Sequence, residues 1–205
     1  VNKHVSASFK GLLLAALCSA GAVEAQSSRL SGVRSWAYWL QGPTPEVVAS
    51  SAFDMAVIDY ARDGDAETEF TRSEVGRMTG VGKTVLAYLS IGEAEEVRFY
   101  FDPEWVERRR KTGRAPSWLE YSNPDFPDNY KVRYWDRSWQ KVLFGRRSGP
   151  AKSYLDRIID AGFSGVYLDI VDAFEDRRLA AVRERGRPRG EAKNARDMAR
   201  LVIRI

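Results

Sequence analysis

Asp59, Glu93, Asp169 and Asp172 each stand at or just past the end of a short apolar run, and Asp136 follows a fourth such run. Four of five expected strands therefore end in an acid within a few residues. In parallel α/β architectures the C-terminal strand ends converge on one face, so these side chains are candidates for a common pocket. Carboxylates gathered in one pocket repel one another, which lets one hold a proton near neutrality while its neighbour is ionised. A protonated acid beside an ionised one is what glycosidic bond cleavage requires. Each acid taken alone has a plainer reading, as a strand terminator, a helix cap or a first-turn acid favoured by the helix dipole. Their coincidence points to a site.

Other chemistries are excluded by what is scarce. The 205 residues include one histidine, His4, and one cysteine, Cys18. Ser-His-Asp triads, HExxH zinc sites and internal disulfides are therefore ruled out. A Ca²⁺ or Mg²⁺ site built from the same acids is the mechanistic rival, but no DxDxDG-type loop supports it. No metal and no cofactor are expected. The stretch Gly76–Thr84 imitates a phosphate-binding loop, yet six positions separate Gly76 from Gly82 and the segment precedes a strand instead of following one.

The elements that must position these acids alternate in type. Strands are expected over Ser35–Leu40, Met55–Asp59, Thr84–Ser90, Tyr130–Trp135 and Gly165–Ile170. Helices are expected after the Thr44-Pro45-Glu46 start, over Thr71–Met78, from Asp102-Pro103 to Lys111, after Ser138, over Ala151–Ala161 and over Asn194–Ile205. Apolar strands separated by helices mark an α/β fold with a covered parallel sheet, either doubly wound or a (β/α)8 barrel. Its strand exits bring forward Gln41, Asp59, Tyr60, Glu93, Trp135, Asp169 and Asp172. Trp36, Trp39, Trp135, Trp139, Tyr38 and Tyr88 supply flat apolar surfaces for sugar faces, with core packing as their alternative role.

At 44% hydrophobic and 29% charged residues the chain is globular in composition, not disordered. The first 25 residues read as a secretory signal: Lys3, His4 and Lys10, an uncharged run from Gly11 to Val23, and cleavage after Ala25. That run is too short for a stable membrane span. The reading is a secreted or periplasmic protein, with residues 26–205 forming the folded portion. The formal charge of +4 is uneven, because Arg177–Ile205 holds ten Lys/Arg against three Asp/Glu. A solvated helix and loop face explains this better than a nucleic-acid partner, and none is expected.

Five ordered segments carry a resemblance. They are Trp36–Gly42, Val57–Tyr60, Leu86–Glu95 (LAYLSIGEAE), Tyr130–Asp136 with Trp139-Gln140, and Gly162–Asp172 (GFSGVYLDIVD). Together they resemble glycoside hydrolase family 114, the endo-α-1,4-polygalactosaminidase-like (β/α)8 barrels of exported proteins. The resemblance implies hydrolysis of an α-1,4-linked, galactosamine-rich polysaccharide, a cationic polymer when deacetylated, in an acid-lined cleft. It implies Asp169 as one catalytic carboxylate, after strand five, and a glutamate after strand six as the other. Glu93 is the candidate second carboxylate within these residues, and Asp59, Tyr60, Tyr88, Trp135, Asp172, Trp36 and Gln41 are candidate substrate contacts. The 180 residues after the signal fall short of the ~250 of a closed barrel, so an incomplete barrel of about five βα units is expected. The alternatives are a non-catalytic carbohydrate-binding protein or an inactive fragment of the barrel, and a polyanion-binding module using the basic C-terminal stretch.

Overall fold

The computed structural model describes residues 30–145 and 152–205. The expected export segment, with His4 and Cys18, lies outside the described residues. Strand β1 (Trp36–Trp39) leads to helix α1 (Pro45–Ser50), whose cap Thr44 accepts from the Val47 amide and whose first position is Pro45. Strand β2 (Met55–Ile58) and helix α2 (Arg72–Thr79) follow. Thr71 and Glu74 close a reciprocal capping box at the start of α2. Strand β3 (Thr84–Ser90) has the bounds its apolar run predicts.

The chain then leaves the sheet. Strand β4 (Glu93–Glu95) comes two residues after β3, followed by a hairpin of β5 (Val106–Glu107) and β6 (Arg110–Lys111), then β7 (Leu119–Ser122) and β8 (Asn129–Val132). Helices α3 (Arg137–Leu143) and α4 (Tyr154–Ala161) return it to strand β9 (Gly165–Asp169). Short helix α5 (Arg177–Ala181), the hairpin of β10 (Arg183–Glu184) and β11 (Arg187–Pro188), and helix α6 (Glu191–Arg204) complete it.

The main sheet is parallel throughout, in the order β1-β2-β3-β9, with Ser90 opposite Asp169 at the exit end. Side chains alternate between its faces. Ala56, Ile58 and Val85 pack beneath Val48 of α1 and Val75 and Met78 of α2. The other face carries Trp36, Tyr38, Tyr88 and Tyr167, whose rings contact one another in mostly edge-to-face arrangements. The expected fifth parallel strand is a correction: β8 pairs antiparallel with β4 and β7 in a second sheet, leaving four parallel strands among the described residues. Tyr130 and Val132 of β8 are buried while Asn129 and Lys131 are not, the alternation of an antiparallel strand with one wetter face.

A second correction concerns Asp102–Lys111. The Asp102-Pro103 start yields only a 3₁₀ turn, Pro103–Trp105. The chain then reverses at Arg108 and Arg109, both at positive φ, so that Val106 pairs with Lys111. Packing overrides helical propensity here: Trp105 lies against Phe101 and Trp118, and Lys111 Nζ donates to the Leu119 carbonyl at 2.5 Å. Part of the basic C-terminal stretch is engaged within the fold. Arg189 is buried between Glu184 and Asp197, Lys193 reaches Glu184, Arg200 reaches Asp197, and Arg178 lies over the Tyr121 ring. No helix among the described residues is long and apolar enough to cross a membrane.

Candidate active site

The strand exits of the main sheet and the antiparallel excursion enclose a cleft of about 880 Å³. Its floor is built around one buried cation. Arg98, 6% exposed, donates from Nη1 to Asp59 Oδ1 at 2.8 Å and to the Gly64 carbonyl at 3.2 Å, while its Nε contacts the Glu95 carboxylate. Three rings, those of Tyr60, Tyr88 and Tyr154, surround the guanidinium at 5.6–5.8 Å. Asp59 comes from the end of β2 and also accepts from the Ala61 amide at 3.2 Å. Glu95 comes from β4, so Arg98 ties the sheet exit to the excursion.

Glu93 is held differently. The antiparallel register places Lys131 directly opposite it, and Lys131 Nζ reaches Oε1 at 2.5 Å. Asn123 Nδ2 donates to the same oxygen at 2.9 Å, and Asn129 Nδ2 to Oε2 at 3.4 Å. Three donors thus meet on a carboxylate that is 1% exposed. Burial pushes the Glu95 carboxyl above its usual range, with Arg98 acting in the opposite direction.

Asp169 ends β9 and is half-buried, and its carboxylate bears on the Tyr88 hydroxyl. Burial, with the charges of Glu95 and Asp169, holds the Tyr88 phenol far above its ordinary value. Tyr38 is pushed up to about 12, chiefly by burial and next by Asp169. Both phenols stay protonated and serve as donors at neutral pH. The turn after Asp169 is set by a close approach. Ile170 adopts left-handed backbone at φ 56°, and Gly92 lies so near that an added Cβ would meet the Ile170 oxygen at 2.3 Å. Ile91 donates its amide to the Asp169 carbonyl at 3.1 Å and accepts from Trp139 Nε1 at 2.9 Å. The Ser90-Ile91-Gly92 step therefore locks the two acid-bearing strand ends together. Among the described residues no group of three His, Cys, Asp or Glu side chains is arranged to hold a metal ion.

The comparisons with known proteins bear on this geometry. A profile of glycoside-hydrolase family GH114 matches residues 19–198. The chain belongs to family GH114. An uncharacterized protein of Methanocaldococcus jannaschii is 43% identical over 140 residues, covering 68% of this chain and 36% of its own length. An uncharacterized protein of Thermotoga maritima is 41% identical over 140 residues, covering 68% and 39%. This chain thus spans less than half the length of the curated relatives it matches. Among solved structures, Aspergillus fumigatus Ega3 in complex with galactosamine matches at TM-score 0.52 and 16% identity, over 84% of this chain and 56% of that one. The glycoside hydrolase domain of PelA from Pseudomonas aeruginosa gives TM-score 0.49 and 20% identity, over 84% and 55%. At this identity the Ega3 match shows a shared α/β fold alone, and this chain covers just over half of each solved chain.

In this GH114 chain the cleft unites Gln41, Asp59, Tyr88, Glu93, Asp169 and Asp172 of the residues singled out from the sequence. Three others lie elsewhere. Tyr60 packs edge-on to Tyr154 at 4.7 Å behind the floor, because the residue after Asp59 points to the opposite side of the chain. Trp36 stacks on Tyr167 at the start of β1, a strand length away from the exit that Gln41 marks. Trp135 lies against the Arg189 guanidinium at 3.6 Å, since β8 belongs to the excursion and not to the parallel sheet. Asp136 is consumed as the N-cap of α3, accepting from Ser138 N at 2.7 Å. Sequence reasoning missed Glu95, Arg98, Asn123 and Lys131. Glu95 lay within the Leu86–Glu95 motif at period two from Glu93, the one signal that would have placed both acids on one face.

Proposed function

We propose that this chain carries the substrate cleft of an exported glycoside hydrolase. Its substrate is an α-1,4-linked, galactosamine-rich polysaccharide, cleaved by carboxylate acid/base chemistry with Asp169 as one of the two catalytic carboxylates. The supporting observation is the position of Asp169: at a parallel-strand exit, in an acid-lined cleft that Tyr88 also lines. Glu93, the candidate partner, sits under three donors and suits an anchoring charge. Glu95, raised by burial and lowered by its ion-pair partner Arg98, belongs with Asp59 to the charged floor. Asp59, Asp172, Gln41 and Tyr88 bind and orient sugar hydroxyls and amines. Six acids and three cations line the cleft, a formal charge of minus three that suits a cationic polymer.

One observation favours a second reading, carbohydrate binding without turnover. Each fully buried carboxylate of the cleft already faces a cation: Asp59 and Glu95 share Arg98, and Glu93 takes Lys131. The test is release of reducing ends from polygalactosamine by the full chain and by Asp169→Asn. Turnover by the natural chain that disappears in the variant supports the hydrolase. Unchanged turnover in the variant overturns the role of Asp169, and binding without turnover in the natural chain selects the second reading.

A further inference from the structure

The loop joining β7 to β8 carries Phe126 to the cleft. Phe126 lines it with 64% of its surface exposed, and Val97 lines the same cleft at 48%. Neither residue joins the packed clusters of the interior, and the Phe126 ring has no aromatic neighbour among the described residues. A single exposed phenylalanine on a mobile tip would need no explanation. This loop is fixed. Asn123 N donates to the Asn129 carbonyl at 2.7 Å, Asp125 N to Asn123 Oδ1 at 3.0 Å, and Asn129 N to the Phe126 carbonyl at 2.9 Å. Ser122 Oγ donates to the Pro127 carbonyl at 2.7 Å, and Asn123 Nδ2 anchors the loop to Glu93. Pro124 and Pro127 restrict the backbone further. The ring is thus pre-positioned, and little ordering remains to oppose binding.

We propose that Phe126, with Val97 beside it, is a stacking platform for a sugar ring of the polymer other than the ring held at Asp169. The proposal rests on the carbohydrate reading of the cleft given above. A pyranose ring has an apolar C–H face and a rim of hydroxyls or amines. The acid floor of the cleft takes the rim, and an exposed aromatic side chain takes the face. A protonated ring amine is also drawn to the π face. A cleft of about 880 Å³ is at the large end for a small-ligand site, with room for more than one ring. Phe126 sits on the excursion and Asp169 on the main sheet, so the two border the cleft from different elements.

The test compares binding of monomeric galactosamine with that of a deacetylated α-1,4-galactosamine hexasaccharide, using the full chain and isothermal titration calorimetry. Phe126→Ala is expected to weaken the hexasaccharide about tenfold, equivalent to ~1.4 kcal/mol, and to leave the monosaccharide unchanged. Phe126→Trp is expected to restore hexasaccharide affinity. Natural-chain affinity in Phe126→Ala overturns the platform, as does an equal loss for both ligands, which would report a general disturbance of the cleft. If the natural chain binds neither ligand, the carbohydrate reading itself falls, an outcome distinct from failure of the platform alone.

Discussion

Replacing Arg98 with alanine tests the electrostatic floor of the cleft. Asp59 and Glu95 are 4% and 7% exposed, and their shared counter-charge is a guanidinium that is itself 6% exposed. Removing one partner of a buried ion pair destabilises by ~3–5 kcal/mol, because the remaining charge is left unpaired in a poorly solvated site. With a urea m-value of ~2 kcal/mol/M, the unfolding midpoint falls by ~1.5–2.5 M. The effect depends on pH in a direction the structure fixes. Burial already raises Glu95 above its usual value of 4.5, and losing Arg98 removes the chief influence lowering it. A carboxyl raised in the folded state binds more protons folded than unfolded, so its stability contribution is present below the unfolded pKa and is lost as pH rises through the folded one. The variant is therefore closest to the natural protein at pH 4 and furthest from it at pH 8. Urea melts followed by tryptophan fluorescence at both pH values measure the gap. Arg98→Lys should recover part of the loss, and adding Asp59→Asn with Glu95→Gln to Arg98→Ala should recover most of it. An equal gap at pH 4 and pH 8, or no recovery in the triple variant, refutes the account.

Two further substitutions probe the frame of the site. Gly92→Ala forces a Cβ to within 2.3 Å of the Ile170 oxygen, backbone that cannot swing aside, so a loss of ~3 kcal/mol or a failure to fold is expected by near-UV circular dichroism. A soluble variant with the natural melting temperature would show that the Gly92–Ile170 approach is not needed. Trp135→Ala removes the face on which Arg189 lies and should lower stability by ~1–2 kcal/mol while leaving hexasaccharide affinity unchanged. Loss of sugar affinity without loss of stability would return Trp135 to the substrate.

The parallel sheet was legible because its strands announce themselves twice. Met55–Ile58 and Thr84–Ser90 are apolar runs bounded by turn residues, and the helices between them carry explicit caps in Thr44-Pro45 and Thr71–Glu74. Tyr130–Trp135 was misread as part of the same sheet, although Tyr-Lys-Val-Arg-Tyr alternates apolar with charged and the buried parallel strands do not. The hairpin at Arg108-Arg109 could not be read locally. Two arginines in left-handed backbone contradict turn preferences, and only the packing of Trp105 and Lys111 around β7 selects the hairpin.

The same excursion explains why counting acids identified a cleft but not its working carboxylates. A strand-exit rule treats Asp59, Glu93 and Asp169 as equivalent, since each follows an apolar run. Their difference comes from cations that reach them across sequence separations of 39 and 38 residues, Arg98 to Asp59 and Lys131 to Glu93. Those cations sit on or next to strands whose antiparallel pairing was not anticipated. Once they are in place, Asp59 and Glu93 are buried charges with committed partners. Asp169 is half-buried at its strand exit, and no ion pair among the described residues engages it. The excursion thus separates the buried acids that hold the floor together from the more open Asp169 and Asp172, and it carries Phe126 to the same opening.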